Sequence, residues 1–434
     1  MKLVLRGGRV IDPSQGMDAV ADILIEGGTI SRIEAGISLS KADAKDALRV
    51  VDLNGAVVAP GLIDMHVHLR EPGFEYKETV HTGSEAAVAG GFASVACMAN
   101  TDPVNDTRSV TEFILKQARL AAMAQVYPVA AISRGQAGEV LTEFGDLKSA
   151  GAVAFSDDGN PVADSGLMRH ALEYAAAFDM PVISHCEDQG LSSGGLMNEG
   201  FVSTQLGLPG IPTIAEDIMV ARDIDLARFT GTSLHIAHVS TAGSVRAVRE
   251  AKAAGVSVTA ETAPHYFTLT DEALRGFSTH FKMYPPLRGA SDVEAIKEGL
   301  RDGTIDVIAS DHAPHSSVEK DVEFVYAANG IIGLETSLAV SLKLVHDGTL
   351  TLQQLIEKMS VNPARILKIP KGSLAPGCDA DITVIDPDRV WTVDAGAFRS
   401  KGRNCPFDGW DLTGKAIVTI VGGEIKYADP GVKI

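Results

Sequence analysis

Two histidines stand two residues apart at the end of an apolar run, in the segment GLIDMHVHLR. In a β-strand, residues two apart point to the same side, so the imidazoles of His66 and His68 can reach one metal ion. The spacing therefore predicts a metal site at the end of this strand.

More potential metal ligands stand at the ends of later apolar runs: Asp157, Asp158, His185, His238 and Asp311. Because unpaired polar groups at the edge of a core are costly, we expect these side chains to bind metal ions together. Carboxylates from two of these runs could complete the shell around the first histidine pair and bridge to a second ion held by His185 and His238. The donor set favours zinc, with manganese, cobalt and iron as alternatives, and we expect one or two ions per chain.

Other polar residues near these ends have a structural interpretation. Adjacent residues of a strand point to opposite faces, so only one of Asp157 and Asp158 is expected to face the metal while the other pairs nearby. His235 is expected to be a hydrogen-bonded core histidine. Four further histidines fall in helices or connections and are expected to face solvent: His81, His170, His280 and His346.

The elements that must position these side chains are short apolar strands, each followed by a longer stretch with helical spacing. The eight expected strands are VVAPGLIDMHVH, FASVACMAN, QVYPVAAIS, GAVAFSDDG, PVISHCED, SLHIAHVS, GVSVTAETAPH and IDVIASDHAPH. In a barrel, the ends of parallel strands converge on one face, which would bring the predicted ligands together. We therefore predict an α/β fold with a metal-bearing (β/α)8 TIM barrel over residues 56–365, and a doubly wound sheet is the alternative.

The two ends of the chain share a different texture. Residues 1–55 and 366–434 contain short β segments between glycine-containing turns, such as KLVLRGGRVID and GKAIVTIVGG. We predict that they pair into a small β-sandwich domain beside the barrel, with an N-terminal part and a C-terminal part.

Composition narrows the function class. The chain has 434 residues, 45% of them hydrophobic, and a net charge of −18, which argues against a nucleic-acid or anionic-membrane surface. The four cysteines lie far apart without a C-x-x-C pair, as expected in a reducing compartment. The N-terminal apolar run is too short for a signal peptide and no run suits a membrane span, so we expect a cytoplasmic protein.

The run GLIDMHVHLREPG resembles the opening motif of the amidohydrolase superfamily, and its LREPG end resembles the class I dihydroorotase branch. Further segments similar to that branch cover almost the whole chain: MANTDPV, AFSDDG, HCED, HIAHVST, APHYFTLTDE, PPLR, DHAPH and GIIGLET. The resemblance implies a metal-bearing barrel with a β domain formed from both chain ends. It also implies the reversible cyclisation of N-carbamoyl-L-aspartate to L-dihydroorotate, with loss of water, in pyrimidine biosynthesis.

The resemblance also implies a role for individual residues. The implied metal ligands are His66, His68, His185, His238 and Asp311, with Asp158 as the bridging carboxylate. Asp311 would in addition be the catalytic acid and base. Arg70, Asn100 and His315 would contact the carboxylate and the ring of the substrate. The planar guanidinium of Arg70, two residues beyond His68, suits a carboxylate.

Two positions that border the implied substrate site depart from the family pattern. Tyr284 stands where the family often has asparagine before PPLR, and Asn329 stands where it often has an aromatic residue. We expect the phenol of Tyr284 to find a new partner while the loop backbone still meets the substrate. The polar run HSSVEKD predicts a mobile edge of the site over residues 312–328.

Two alternatives differ from this interpretation. Hydantoinases and allantoinases share the opening motif but typically bridge their metals with a carbamylated lysine, whereas Lys148 here precedes the fourth strand. Some dihydroorotase-like proteins are non-catalytic partners of aspartate transcarbamoylase, usually marked by lost metal ligands, and this chain keeps them. We expect an enzyme for a small anionic substrate, and we leave a homodimer and a transcarbamoylase partner as open alternatives.

Overall fold

The computed structural model describes residues 2–38 and 48–432, in which strands and helices are numbered in chain order. Eight parallel strands from the middle of the chain form one sheet: β6 Leu62–Val67, β7 Phe92–Cys97, β8 Gln125–Ala130, β9 Ala154–Phe155, β10 Val182–Ser184, β13 Leu234–Ile236, β14 Val258–Thr262 and β15 Val307–Ile308. A parallel bridge between Val67 and His312 joins the exit of the last strand to the first. The amide of His68 donates to the His312 carbonyl at 2.9 Å. This closure confirms the predicted barrel over the doubly wound alternative.

Helices lie in the connections between the barrel strands and after the last of them. They are α1 Val80–Ala89, α2 Arg108–Ala121, α3 Phe144–Ala150, α4 Ser165–Ala177, α5 Gln189–Ser192, α6 Phe201–Leu206, α7 Ile214–Thr230, α8 Ala242–Ala253, α9 Ala290–Asp302, α10 Ser317–Lys320, α11 Ser337–His346, α12 Leu352–Ile356 and α13 Asn362–Leu367. Side-chain caps fix several starts; Asp164, for example, accepts from the amide of Leu167 before α4. Every residue of β6 and β7 is buried, which explains why barrel strands appear as continuous apolar runs.

The second sheet is built from both chain ends. Its strands are β1 Lys2–Asp12, β2 Met17–Glu26, β3 Thr29–Glu34, β4 Leu48–Asp52, β5 Val57–Pro60, β16 Ile382–Thr392, β17 Asp411–Val421 and β18 Glu424–Ala428. They lie in one hydrogen-bonded sheet in the order β18-β17-β16-β5-β1-β2-β3, with β4 on β1. The two chain ends therefore pair into one β sheet, as predicted.

Strand β5 joins the two ends of the chain. Val58 pairs with Val10 in parallel and with Val384 in antiparallel orientation. The predicted barrel segment starts at residue 56 and includes this strand, but the hydrogen bonds of the strand belong to the terminal sheet. We therefore propose that the first domain limit lies between Pro60 and Leu62.

Two short strands form a separate small sheet. The strands β11 Met197–Asn198 and β12 Gly210–Ile211 pair with each other in the connection between β10 and α7. Among the described residues, no helix combines the length and the apolar character needed to span a membrane.

Candidate active site

The predicted histidines and aspartates meet at the carboxyl end of the barrel strands, where two groups of potential metal ligands share Asp158. The groups are His66, His68 and Asp158, and Asp158, His185 and His238, each with its ligand atoms within 4.8 Å of one another. Oδ1 of Asp158 lies 3.3 Å from Nε2 of His66 and 3.5 Å from Nε2 of His238. Oδ2 of Asp158 lies 3.5 Å from Nε2 of His68. One carboxylate therefore faces both groups.

Two buried atoms in this cluster test whether a cation fits. Nε2 of His66 and Oδ1 of Asp158 find no hydrogen-bond partner among the described residues. Buried polar atoms without a partner are costly, and a bound cation would satisfy both. The imidazole and carboxylate donors present are those of a divalent metal site.

The opposite charges of the histidines and aspartates in this cluster shift each other's pKa values. Burial disfavours the charged carboxylate of Asp158, yet the positive charge of His66 and the nearby imidazoles of His185 and His238 hold its pKa well below the usual range. Burial alone would lower the pKa of His66, but the carboxylates of Asp158 and Asp311 raise it well above the usual value. The site therefore stabilises an ionised carboxylate in a buried position.

Asp311 lies beside the first group, in the segment that follows β15 and is bridged to the end of β6. Its Oδ1 lies 3.3 Å from Nε2 of His68 and 3.6 Å from Nε2 of His66. The backbones of Asp311 and His238 have φ values of 50° and 32°, in the left-handed region that residues other than glycine rarely adopt. Such strain persists where the surrounding structure fixes a functional side chain.

Asp157 faces away from the cluster, as the alternation of a strand predicts. Its carboxylate accepts from the amides of Ile132, at 2.7 Å, and Ser133, at 3.0 Å, and from the Ser133 hydroxyl. Burial raises its pKa to about 6. Asp157 thus anchors the segment that follows β8, and Asp158 is the residue that faces the histidines.

The histidines outside the cluster also have defined surroundings. His235 is buried, and its Nδ1 lies 2.8 Å from the hydroxyl oxygen of Thr259, as expected for a core histidine. Three of the four histidines predicted to face solvent are exposed, namely His81, His170 and His346. His280 is half-buried, and its Nδ1 lies 3.4 Å from the Cys405 carbonyl oxygen.

Glu261 is part of the site, although it was not among the predicted site residues. It lies on β14, with Oε1 2.5 Å from Nδ1 of His66 and Oε2 3.2 Å from Nε2 of His235. A carboxylate that accepts from Nδ1 orients the ring of His66, so that Nε2 can bind a metal once it gives up its proton. The only sequence signal was a glutamate inside an apolar strand.

Glu187 is a second site residue that was not among the predicted ones. Its Oε2 lies 3.3 Å from Nε2 of His185, while its Oε1 accepts from the hydroxyls of Tyr284 and Ser192. The rings of Tyr284 and His185 are nearly parallel, with centroids 6.3 Å apart. The phenol of Tyr284 has therefore found a partner beside the site. The feature of the sequence that could have indicated Glu187 is its position two residues after His185.

A cavity of about 400 Å³ opens above the cluster. The predicted site residues that line it are His68, Arg70, Asn100, Asp158, His185, His238, Tyr284, Asp311, His315 and Asn329. His66 is fully buried and is not among its lining residues. A cavity of this size suits a small molecule held by a few convergent polar groups.

Arg70 and His315 form a positively charged edge of the cavity. Nε of Arg70 donates to the Pro314 carbonyl at 3.3 Å, and Nε2 of His315 donates to the Asn329 carbonyl at 2.8 Å. Burial lowers the pKa of Arg70 to about 10, so it stays charged at neutral pH. Burial and the charge of Arg70 lower the pKa of His315 to about 3, so it is neutral. A cationic fork beside a neutral imidazole suits a carboxylate.

Two further residues bear on the chemistry of the cavity. Oδ1 of Asn100 accepts from Nδ1 of His68 at 2.9 Å, so this residue orients a candidate metal ligand as well as lining the cavity. Nζ of Lys148 donates to the Phe178 carbonyl on the surface at 2.6 Å. The position between the two ligand groups is held by the carboxylate of Asp158 and not by Lys148.

Two family models match the chain. One, described as Dihydro-orotase-like, matches residues 55–244, and one described as Amidohydrolase family matches residues 217–427. A protein named dihydroorotase from Syntrophus aciditrophicus is 61% identical over 99% of this chain and 100% of its own length. Another dihydroorotase, from Geobacter sulfurreducens, is 60% identical over 99% of this chain and 100% of its own.

Solved structures share the architecture. L-Hydantoinase from Arthrobacter aurescens superposes with a TM-score of 0.87 at 26% identity, covering 100% of this chain and 97% of that chain. A D-hydantoinase structure gives a TM-score of 0.86 at 23% identity, covering 100% and 96% of the two chains, which supports the fold alone. The full-length relatives at 61% and 60% identity show that the chain belongs to the dihydroorotase family of the amidohydrolases.

Proposed function

We propose that the chain catalyses the reversible, metal-assisted cyclisation of N-carbamoyl-L-aspartate to L-dihydroorotate, with loss of water. The observation that carries the proposal is the carboxylate of Asp158, shared by two ligand groups on the floor of a cavity whose edge holds Arg70. The ligand groups on the floor of the cavity suit metal-assisted hydrolysis of an amide, and Arg70 at its edge suits an anionic substrate. The dihydroorotase relatives support the same reaction.

The ligand groups would hold one or two divalent ions, and we propose zinc because imidazoles and carboxylates are its usual ligands together with cysteine. The residues that would hold them are His66, His68, Asp158, His185, His238 and Asp311. Bound there, such ions supply a Lewis acid for the amide carbonyl and lower the pKa of the attacking water.

Asp311 is our candidate for the acid and base. Burial disfavours its charge, but the neighbouring His66 and His68 outweigh burial and lower its pKa below the usual value. It is therefore a carboxylate that can accept a proton from the attacking water during ring opening and deliver it to the departing ring nitrogen. In the direction of cyclisation, it takes the proton from the attacking nitrogen and returns it to the leaving water.

The edge of the cavity binds and orients the substrate in this proposal. Arg70 forms a charge-assisted pair with the substrate carboxylate. The neutral imidazole of His315 can border this carboxylate without adding a second charge to bury. Asn100 uses its oxygen on His68, which leaves its amide NH2 for an oxygen atom of the ring.

The substrate panel that tests this function comprises dihydroorotate, hydantoin and allantoin. Because hydantoin lacks the carboxylate that Arg70 would bind, we expect kcat/KM to favour dihydroorotate by roughly 100-fold or more. The Asp158→Asn variant, measured in parallel, corrects for contaminating hydrolases. Faster opening of hydantoin or allantoin than of dihydroorotate would overturn the substrate assignment.

A further inference from the structure

Asn404 lies against the edge of the candidate site, although it belongs to the connection between β16 and β17 of the terminal sheet. It is 2% exposed. Its Oδ1 accepts from the amide of His315 at 3.2 Å, and its Nδ2 donates to the carbonyls of Ala313 and Gly330, both at 3.0 Å. Its own carbonyl accepts from the amide of Ile332 at 3.1 Å. The residue therefore holds the outgoing and the returning backbone of the loop that follows β15.

The pattern of these bonds requires an amide side chain. Asparagine offers one oxygen that accepts and one nitrogen that donates twice, and Asn404 uses both toward backbone groups. An aspartate would place a charged oxygen against two carbonyls, and an alanine would leave buried backbone groups without partners. The side chain is thus matched to the loop.

The loop that Asn404 holds carries the partners of the charged edge. Pro314 accepts from Arg70, and His315 donates to the carbonyl of Asn329, the residue next to Gly330. By bonding Ala313 and His315 on one side and Gly330 on the other, the side chain of Asn404 fixes the distance between the two backbone segments of this edge. None of these bonds involves a candidate metal ligand.

We propose that Asn404 is a positioning residue that sets the geometry of the substrate-carboxylate edge from the β domain. The proposal rests on the proposed function, because it assigns this edge to an anionic substrate. A second hold on the same loop comes from Lys320, whose Nζ donates to the carbonyls of Ala328 and Gly330 at 2.8 and 2.9 Å. The loop therefore keeps an anchor when Asn404 is replaced.

The test compares Asn404→Ala with Asn362→Ala in the metal-loaded protein. Asn362 is a matched control because it is also buried, and its Nδ2 donates to the Asp306 carbonyl at 2.9 Å, just before β15 begins and away from the cavity. Two quantities are measured: amide hydrogen exchange over residues 313–332 without substrate, and KM and kcat for dihydroorotate. Metal content is determined on the same samples.

We expect Asn404→Ala to speed exchange over residues 313–332 and to raise KM roughly tenfold, with kcat changed less than about threefold and metal content unchanged. The control should change neither exchange in this loop nor KM. Equal exchange and equal KM in the two variants would overturn the proposal.

A companion variant and the exchange measurement keep the test decisive. If Asn404→Ala does not fold, Asn404→Asp decides by the same two readouts, because it keeps the oxygen that accepts from His315. If the wild-type protein does not open dihydroorotate, the proposed function fails. The exchange comparison then still decides whether Asn404 holds the loop.

Discussion

Nδ1 of His66 lies 2.5 Å from Oε1 of Glu261, and both side chains are buried. The same glutamate reaches His235 with its other oxygen, at 3.2 Å. Glu261 therefore connects three strands of the barrel and turns Nε2 of His66 toward Asp158. A contact of this kind orients a metal ligand and increases its basicity.

The first prediction concerns this contact. Glu261→Gln removes the charge at Nδ1 of His66 and should weaken metal binding by roughly 10- to 100-fold, and Glu261→Ala should weaken it further. Metal affinity is measured by competition with a chromophoric chelator. Thr259→Val, which removes a bond to His235 but leaves Glu261 on His66, is the control. An affinity in Glu261→Ala equal to that of the control would show that the contact does not orient the ligand.

The second prediction separates the two ligand groups. Asp158 belongs to both, whereas His185 belongs to one. Asp158→Ala should therefore lower occupancy at both positions, while His185→Ala should lower it at one, and both variants should lose most activity. Metal-to-protein ratios by elemental analysis, taken with the rate on the same sample, provide the comparison. Identical stoichiometry in both variants would argue against a shared carboxylate.

The third prediction concerns the charged edge. Arg70→Met should raise KM for dihydroorotate and N-carbamoyl-L-aspartate by roughly 10- to 100-fold, because a charge-assisted pair contributes about 1.5–3 kcal/mol. Metal content should not change. Arg70→Lys keeps the charge but not the planar fork, so its KM should lie between that of the wild-type protein and that of Arg70→Met. An unchanged KM in Arg70→Met would remove this residue from the substrate site.

The fourth prediction concerns Tyr284, whose hydroxyl donates to Glu187. Since the ring lies at the wall of a cavity that remains open, we expect Tyr284→Asn to keep kcat/KM within about tenfold, or roughly 1.4 kcal/mol. Tyr284→Phe, which keeps the ring and loses the hydrogen bond, is the matched control. Metal-loaded wild-type protein without activity, with turnover restored only in the asparagine variant, would show that the tyrosine blocks the site.

The barrel and the ligand cluster were predictable because both are encoded locally. A strand ends where its apolar run ends, and parallel strands bring those ends to one face. His68, Asp158 and Asp311 could therefore be placed together from three separate segments. The alternation of a strand also predicted that one of two adjacent aspartates would face away, and that residue is Asp157.

Glu261 and Asn404 were not predictable by the same reasoning. Glu261 lies inside a strand, and its partners His66 and His235 come from two other strands. Asn404 is 89 positions from His315 in the sequence and lies in a different sheet connection. Their roles depend on tertiary packing, which the hydrophobic periodicity of a strand or helix does not predict.

The loop after β15 shows a related difficulty. Its polar sequence predicted a mobile edge over residues 312–328, and that mobility stays a prediction. The structure adds anchors from two buried lysines: Nζ of Lys282 donates to the carbonyls of Phe324 and Val325, and Lys320 donates to Gly330. Lysine is rarely buried, so the sequence alone gives no reason to expect these bonds.

The most direct test of the account is the rate of dihydroorotate ring opening as metal is removed and returned. We expect the rate to fall to background in proportion to the metal extracted by a chelator and to recover when zinc is added back. The Asp158→Ala variant, treated in the same way, should not recover. Full activity in protein from which elemental analysis detects no metal would contradict the central claim.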